Sequence, residues 1–336
     1  MKTRRIVLAA RPQGLPKLSD FRTEDADVPA PQDGEVLLAI QYLSLDPYMR
    51  GRMDDRKSYA KPTAIGQEME GGTVGRVLES RSADYKPGDI VLSYSGWQSH
   101  AIAKGADLRK LDPKEAPVTT ALGVLGMPGF TAYAGLLTIG KPKPGETVVV
   151  AAATGPVGSA VGQIGKIRGA RAVGIAGGTD KCAFMRDELG FDAAVDHRAK
   201  DFPEQLAKAC PKGIDVYFEN VGGAVWDAVF PLLNDFARIP LCGLIAQYNE
   251  VEPFPGPDRF PVVMRQALSK RFHIQGFIQR DFADQRPAFY REMAQWIREG
   301  KVKYREDVVD GLERAPEAFI GLLQGKNFGK LVVRVA

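Results

Sequence analysis

Apolar and polar positions fall into two regimes that change near residue 122. Before that point, short apolar stretches are cut by Pro, Gly and Asp. Segments 6–10, 35–44, 71–79, 90–95 and 97–103 read as strands, and helical spacing is scarce, so this half is predicted to be an irregular β-barrel or sandwich. After that point, apolar strands alternate with amphipathic helices, the pattern of βαβ units on a parallel sheet. Residues 147–152 form a continuous apolar strand, and Val157, Val161, Ile164 and Ile167 then recur at helical spacing up to Gly169. The alternation continues through strands 172–176, 192–195, 214–219, 236–242 and 272–278, with helices 181–189, 202–209, 224–233, 258–270 and 286–299. The tail adds helix 315–323 and strand 330–335. Pro240 conflicts with its strand because it removes a ladder donor, so a bulge or a strand end is expected there. Segment 249–261, with Pro253, Pro255, Gly256, Pro257 and Pro261, reads as a semi-rigid loop, either a wall of a substrate pocket or a plain surface connection.

Composition narrows the class. The 336 residues, 44% hydrophobic, 9% aromatic and 26% charged, suit a globular protein of two domains or one large α/β unit. Lys and Arg number 45 against 41 Asp and Glu, a formal net charge of +4. A nucleic-acid binder gathers such an excess into a stripe. Here the signs alternate, and the densest basic stretch, 301–305, runs into Glu306 and Asp307, so it reads as solvated surface and no nucleic-acid partner is expected. Cys182, Cys210 and Cys242 are too scattered for a disulfide framework or a metal cluster, which points to a reducing compartment. The opening MKTRRIVLAA has too short an apolar run for a secretion signal, and no run reaches transmembrane length. A cytoplasmic protein with no membrane partner is expected.

The sharpest local signal is the turn after strand 147–152, Ala153-Thr154-Gly155-Pro156-Val157-Gly158, running directly into a helix. Small residues permit a tight bend and close backbone approach, and the helix N-terminus offers free N–H groups to a pyrophosphate. Pro156 suits a first helical position, where its missing N–H would be unpaired anyway. A dinucleotide site that takes NAD carries an acid about 20 residues further on, for the ribose 2′-hydroxyl. Gly177 and Gly178 stand there instead, followed by Lys181, which leaves room and charge for a 2′-phosphate. NADP(H) is the expected cofactor; a plain Gly-Gly turn with a solvated Lys181 is the bland alternative.

Several segments together resemble the medium-chain dehydrogenase/reductase superfamily, in its zinc-independent branch of prostaglandin reductases, plant double-bond reductases and bacterial 2-alkenal reductases. They are YLSLDPYMRGRM at 42–53, GMPGFTAYAGLL at 126–137, VVVAAATGPVGSAVGQIGK at 148–166, VGIAGGTDK at 173–181, GIDVYFENVGG at 213–223, CGLIAQYN at 242–249 and NFGKLVV at 327–333. The resemblance implies an α/β protein with a doubly wound Rossmann domain over 123–299 and a GroES-like β-barrel catalytic domain over 1–122 completed by 300–336. It further implies a homodimer. Zinc dehydrogenases carry Gly-His-Glu near the start, whereas this chain has Gly66-Gln67-Glu68, and His100, His197 and His273 are dispersed, so no metal is expected.

Membership also implies the chemistry: hydride from NADPH to the β-carbon of an α,β-unsaturated aldehyde or ketone, with donors for the enolate oxygen and a proton for the α-carbon. Tyrosine hydroxyls donate while neutral at pH 7, and Tyr48 and Tyr248 match the substrate-facing tyrosines of the family. Met127, Thr131, Gly155, Pro156, Val157, Gly158, Gly177, Gly178, Lys181, Asn220, Cys242, Tyr248, Phe277 and Asn327 match its cofactor-binding positions. The family commonly has Tyr where His197 stands, on the 2′-phosphate side, which predicts NADPH affinity that sags between about pH 6 and 8 as an imidazole titrates. A quinone reductase and a non-catalytic NADPH-binding protein are the competing readings. Tyr48 can equally be a half-buried aromatic after Pro47, and Asn220 and Asn327 can be simple turn and helix-end residues.

Overall fold

The computed structural model describes residues 1–251 and 257–335. Two compact units emerge, one of Met1–Gly123 with Glu306–Ala336 and the other of Val124–Arg305.

The first unit opens with the hairpin β1 (Lys2–Leu8) and β2 (Phe21–Asp27), then adds β3 (Glu35–Ser44), the short helix α1 (Met49–Arg52), β4 (Thr73–Ser80), β5 (Ile90–Ser93), β6 (His100–Lys104) and β7 (Arg109–Leu111). Trp97, predicted to lie within a strand, instead sits in the loop before β6, fully buried. Its ring stacks on Phe21 with centroids 5.7 Å apart. The first strand runs Lys2–Leu8 rather than 6–10, because Arg4 and Arg5 alternate outward to Asp25 and Glu24 of its antiparallel partner.

In the second unit, α2 (Met127–Ala134) precedes β8 (Thr147–Ala151), α3 (Pro156–Ile167), β9 (Arg171–Ala176), α4 (Thr179–Asp187), β10 (Ala193–Asp196), α5 (Phe202–Ala209), β11 (Ile214–Phe218), α6 (Gly223–Val229), β12 (Leu233–Leu241), α7 (Phe260–Lys270), β13 (His273–Gly276) and α8 (Arg286–Arg298). The strands form one parallel sheet in the order β10-β9-β8-β11-β12-β13. Both faces are covered. Val148 and Val150 pack with α3 and α8 residues such as Ile164 and Met293, whereas Val149 and Ala151 face Leu206 of α5 and Val229 of α6. Double coverage is why the strand reads as an unbroken apolar run. Counting β8 as the first strand, the order is 3-2-1-4-5-6, the doubly wound Rossmann arrangement with its reversal between β8 and β11.

Some local readings shift. Helix 224–233 stops at Val229 and continues only as a 3-10 turn, Phe230–Leu232, around Pro231. Strand β12 then starts early and bulges against β11, with Phe236 at φ 60°. Pro240 lies near its end, and the ladder resumes with Glu219 N–H on the Pro240 carbonyl at 3.0 Å and Cys242 N–H on the Glu219 carbonyl at 3.0 Å. Helix α2 was not apparent from spacing, since all its residues but Met127 are buried and no polar face marks it. Of the proline-rich segment 249–261, Pro253, Pro255 and Gly256 lie outside the described residues, while Pro261 occupies the first turn of α7.

The chain returns to the first unit with β14 (Glu306–Asp310), α9 (Ala315–Leu323) and β15 (Lys330–Arg334). The unit's main sheet runs β14-β15-β3-β4-β5-β7, with β6 on β3, and is antiparallel except at β14 and β15. Phe319 of α9 meets Trp97 edge-on at 5.7 Å. The fold class is α/β: a Rossmann unit and a GroES-like, antiparallel-rich unit. No helix among the described residues is long and apolar enough to cross a membrane.

Candidate functional site

The C-terminal edge of the parallel sheet gathers most of the predicted positions. Strand β8 stops at Ala151 because Ala152 takes a left-handed φ of 51°, which costs a non-glycine residue about 1–2 kcal/mol and throws the chain into the turn. Gly155 N–H donates to the Ala152 carbonyl at 2.9 Å and Gly155 becomes the N-cap of α3, with Pro156 next and no side chain capping the helix. The first N–H groups of that helix are left for a ligand, with the positive end of its dipole behind them. Gly158 permits the close packing of helix on turn: a Cβ there would lie 2.5 Å from the Ala152 carbonyl oxygen and 2.7 Å from Ala153 Cα. These residues therefore fit a pyrophosphate.

At the sheet's point of reversal, the Asn220 side-chain amide donates to the Ala151 carbonyl at 2.9 Å, tying the end of β11 to the end of β8. Beneath it, buried Glu219 gathers the turn through one oxygen, which accepts from Tyr217 Oη at 2.9 Å, Val221 N–H at 2.7 Å and Gly222 N–H at 2.9 Å. Burial raises the Glu219 carboxyl above its usual range. Burial likewise pushes the neighbouring Cys242 thiol up to about 12, aided by the Glu219 charge, so the thiol is neutral. The turn carrying Tyr248 is stitched to the same place, with Ile245 N–H on the Asn220 carbonyl at 3.2 Å and Ala246 N–H on the Val221 carbonyl at 3.0 Å. Tyr248 Oη folds back to accept from Leu244 N–H at 3.4 Å.

The end of β9 supplies a feature that sequence reading missed. Over Gly177 lie the guanidinium of Arg198 and the ring of His197: a Cβ at Gly177 would be 2.6 Å from Arg198 Nε and 2.9 Å from His197 Nε2. Asp196 organises this corner by accepting from Arg198 N–H at 2.9 Å and from the Gly178 backbone. Lys181 stands in the first turn of α4, close enough that its charge acts on His197. The corner thus presents three basic side chains and lacks the acid of an NAD site. Partial desolvation, then the Arg198 charge, hold the His197 imidazole below its ordinary value, so it is neutral at pH 7.

Other predicted positions have packing or capping duties. Thr131 Oγ1 donates to the Met127 carbonyl at 2.8 Å within α2. The Phe277 ring fills the space beside Gly135, where a Cβ would meet it at 2.4 Å, and meets Phe218 edge-on at 6.1 Å.

Two predicted residues belong to the first unit. Asn327 caps the approach to β15 by donating to the Gly329 carbonyl at 2.8 Å. Tyr48 follows β3 and enters α1, half-buried, with the buried Arg52 guanidinium 5.3 Å from its ring. Desolvation first, then the Asp46 and Glu70 carboxylates and Tyr94, raise the Tyr48 hydroxyl well above its ordinary pKa, against the opposing charge of Arg52. It is a neutral donor throughout the neutral range. Among the described residues no group of three or more His, Cys, Asp or Glu side chains is placed to hold a metal ion.

A Rossmann sheet with a small-residue turn, an acid-free second strand end and a separate GroES-like unit defines a dinucleotide-dependent oxidoreductase of the medium-chain type. Residues 4–111 match the family described as the N-terminal domain of oxidoreductase, and residues 156–299 match the one described as zinc-binding dehydrogenase. The NADPH-dependent curcumin reductase of Escherichia coli (strain K12) is 60% identical over 336 residues, covering 100% of this chain and 97% of that protein. Prostaglandin reductase 1 of Bos taurus is 43% identical over 327 residues, covering 96% and 95%. The crystal structure of CurA in complex with NADPH from Vibrio vulnificus superposes with a TM-score of 0.96 at 57% identity, covering 99% of each chain. The chain belongs to the zinc-independent medium-chain dehydrogenase/reductase branch that contains the curcumin and prostaglandin reductases.

Proposed function

We propose that this protein reduces the carbon–carbon double bond of small α,β-unsaturated aldehydes and ketones with NADPH. The observation that carries the reading is the end of β9, where Arg198 and His197 lie over Gly177 at the place an NAD site gives to an acid and Lys181 adds its charge, in a chain 60% identical to an NADPH-dependent reductase. Gly155, Val157 and Gly158 would hold the pyrophosphate, Gly177, Gly178, Lys181, His197 and Arg198 the 2′-phosphate, and Met127, Asn220, Cys242 and Asn327 the remainder of the cofactor. The bound cofactor supplies the hydride. Tyr48 donates to the oxygen on which enolate charge develops, and Tyr248 is the second substrate-facing hydroxyl, polarised by the bond it accepts from Leu244. A donor is most effective where burial has removed water, as at Tyr48.

The deciding experiment measures NADPH and NADH oxidation against a panel of alkenals, enones and quinones, with product analysis. Saturated carbonyl product, with NADPH preferred, is expected. Turnover of quinones alone would move the protein to the quinone reductases, and tight NADPH binding without turnover of any enone would make it a binding protein.

The His197 geometry sharpens the pH expectation. A 2′-phosphate beside the imidazole raises its pKa in the complex, so affinity is highest where the ring is protonated and declines as pH rises from the free-protein value to the bound value. Because the free value is depressed, the decline starts below pH 6.5 rather than at the unperturbed pKa. NADPH Kd measured from pH 5.5 to 8.5 should show this decline in the wild type and not in His197→Gln; parallel curves would remove His197 from the role.

We further infer a homodimer joined at the outer edge of the parallel sheet. Strand β13 is exposed at all four positions, and α7, which precedes it in the chain and packs on β12, buries no residue and presents Phe260, Met264 and Leu268 to solvent. An open strand edge next to an apolar helix is the surface on which a second copy can continue the sheet about a two-fold axis. Leu268→Lys with Ile274→Lys should yield a monomer by light scattering; an unchanged mass, with the wild type dimeric, would place the interface elsewhere.

A further inference from the structure

A buried charge pair underlies the segment that carries Tyr48. Lys330 is the first residue of β15, and Asp46 follows β3; their side chains are 3% and 6% exposed. Lys330 Nζ donates to Asp46 Oδ1 at 2.7 Å and to the Leu45 carbonyl at 2.7 Å. Ser44 Oγ donates to the other oxygen of Asp46. The lysine stem runs past Gly123, where a Cβ would lie 3.3 Å from Lys330 Cγ. Glu306, its register partner on β14, contributes a second negative charge.

Such a pair is poorly explained by stability. Removing two ions from water costs about as much as their attraction returns, and apolar side chains of similar volume usually do as well. What the pair adds is direction. Its bonds tie residues 44–46 to a strand 284 positions later in the chain. The path from Asp46 to Tyr48 is short and stiff: Pro47 has a fixed φ, Met49 N–H donates to the Asp46 carbonyl at 3.1 Å, and Gly51 N–H donates to the Tyr48 carbonyl at 3.0 Å.

We propose that Lys330 and Asp46 are positioning residues whose buried bond sets the Tyr48 hydroxyl in its working place. The proposal rests on the enone-reductase reading given above. A wild-type enzyme that fails to turn over any enone defeats that reading before a variant is made, whereas the variants test the pair.

The experiment is a mutant cycle on the full chain. Asp46→Asn keeps the side-chain shape and is expected to lower kcat about tenfold, with NADPH Kd within about twofold of wild type. In a Tyr48→Phe background the same substitution should lower kcat no further, because the hydroxyl it positions is gone. The paired apolar replacement, Lys330→Met with Asp46→Leu, made together with Glu306→Gln so that no carboxylate is left without its cation, should melt near the wild-type temperature while kcat stays low. The proposal is overturned if Asp46→Asn retains wild-type kcat, if its effect is the same with and without Tyr48, or if kcat recovers along with the melting temperature in the paired variant.

Discussion

Replacing Tyr48 by Phe is expected to lower kcat for enone reduction by about 10²- to 10³-fold while leaving NADPH Kd within about twofold. The size follows from the hydroxyl's surroundings. Desolvation and the nearby Asp46 and Glu70 carboxylates keep the phenol protonated far above neutral pH, so it can donate as negative charge grows on the substrate oxygen but does not ionise itself. The phenylalanine ring retains the position over Arg52, whose guanidinium lies 5.3 Å from the Tyr48 ring, so packing is largely preserved and the lost donor accounts for the effect. Steady-state kinetics with one enone and a fluorescence titration with NADPH provide the check. A kcat within twofold of wild type would transfer the donor role to Tyr248.

The second large effect belongs to the coenzyme corner. Arg198→Ala should weaken NADPH binding by about 10- to 100-fold, the loss expected for a charge-assisted bond of about 1.5–3 kcal/mol, and leave NADH binding almost untouched. Gly177→Asp should go further and reverse the preference. It places a carboxylate where Arg198 now lies, within 2.6 Å of the space a Cβ would take, and repels the 2′-phosphate while offering an acceptor to a 2′-hydroxyl. The Arg198 guanidinium and the His197 ring, both far ends of side chains, must move aside to admit it. Parallel Kd measurements with the two coenzymes decide. Equal weakening of both would mean that Arg198 serves the fold rather than the phosphate.

Much of this site was legible from residue order. The turn Ala153–Gly158, the glycines at 177 and 178 and the asparagine at 220 are recognisable because each needs only its strand and the residue types beside it, and the structure places all of them at one sheet edge. Arg198 was not legible. It comes after β10, and its bearing on Gly177 exists only because β10 lies beside β9 and Asp196 holds the Arg198 backbone. The Glu219 carboxyl was equally hidden, since its three bonds depend on a turn whose geometry no spacing rule specifies. Thr131 and Phe277, matched to cofactor contacts by resemblance alone, also make a helix back-bond and an aromatic packing contact that residue order did not announce.

The strands and helices of the βαβ units, their order and the small-residue turn after the first strand were set by the chain's own pattern. Each depends on short-range spacing of apolar residues and on backbone conformations open to small side chains. Which distant groups meet was decided by the fold. Lys330 reaches Asp46 across 284 residues, and Arg198 and His197 converge on Gly177. Contacts of that kind depend on the pairing of strands far apart in sequence, and burial then governs whether the groups they unite are charged or neutral.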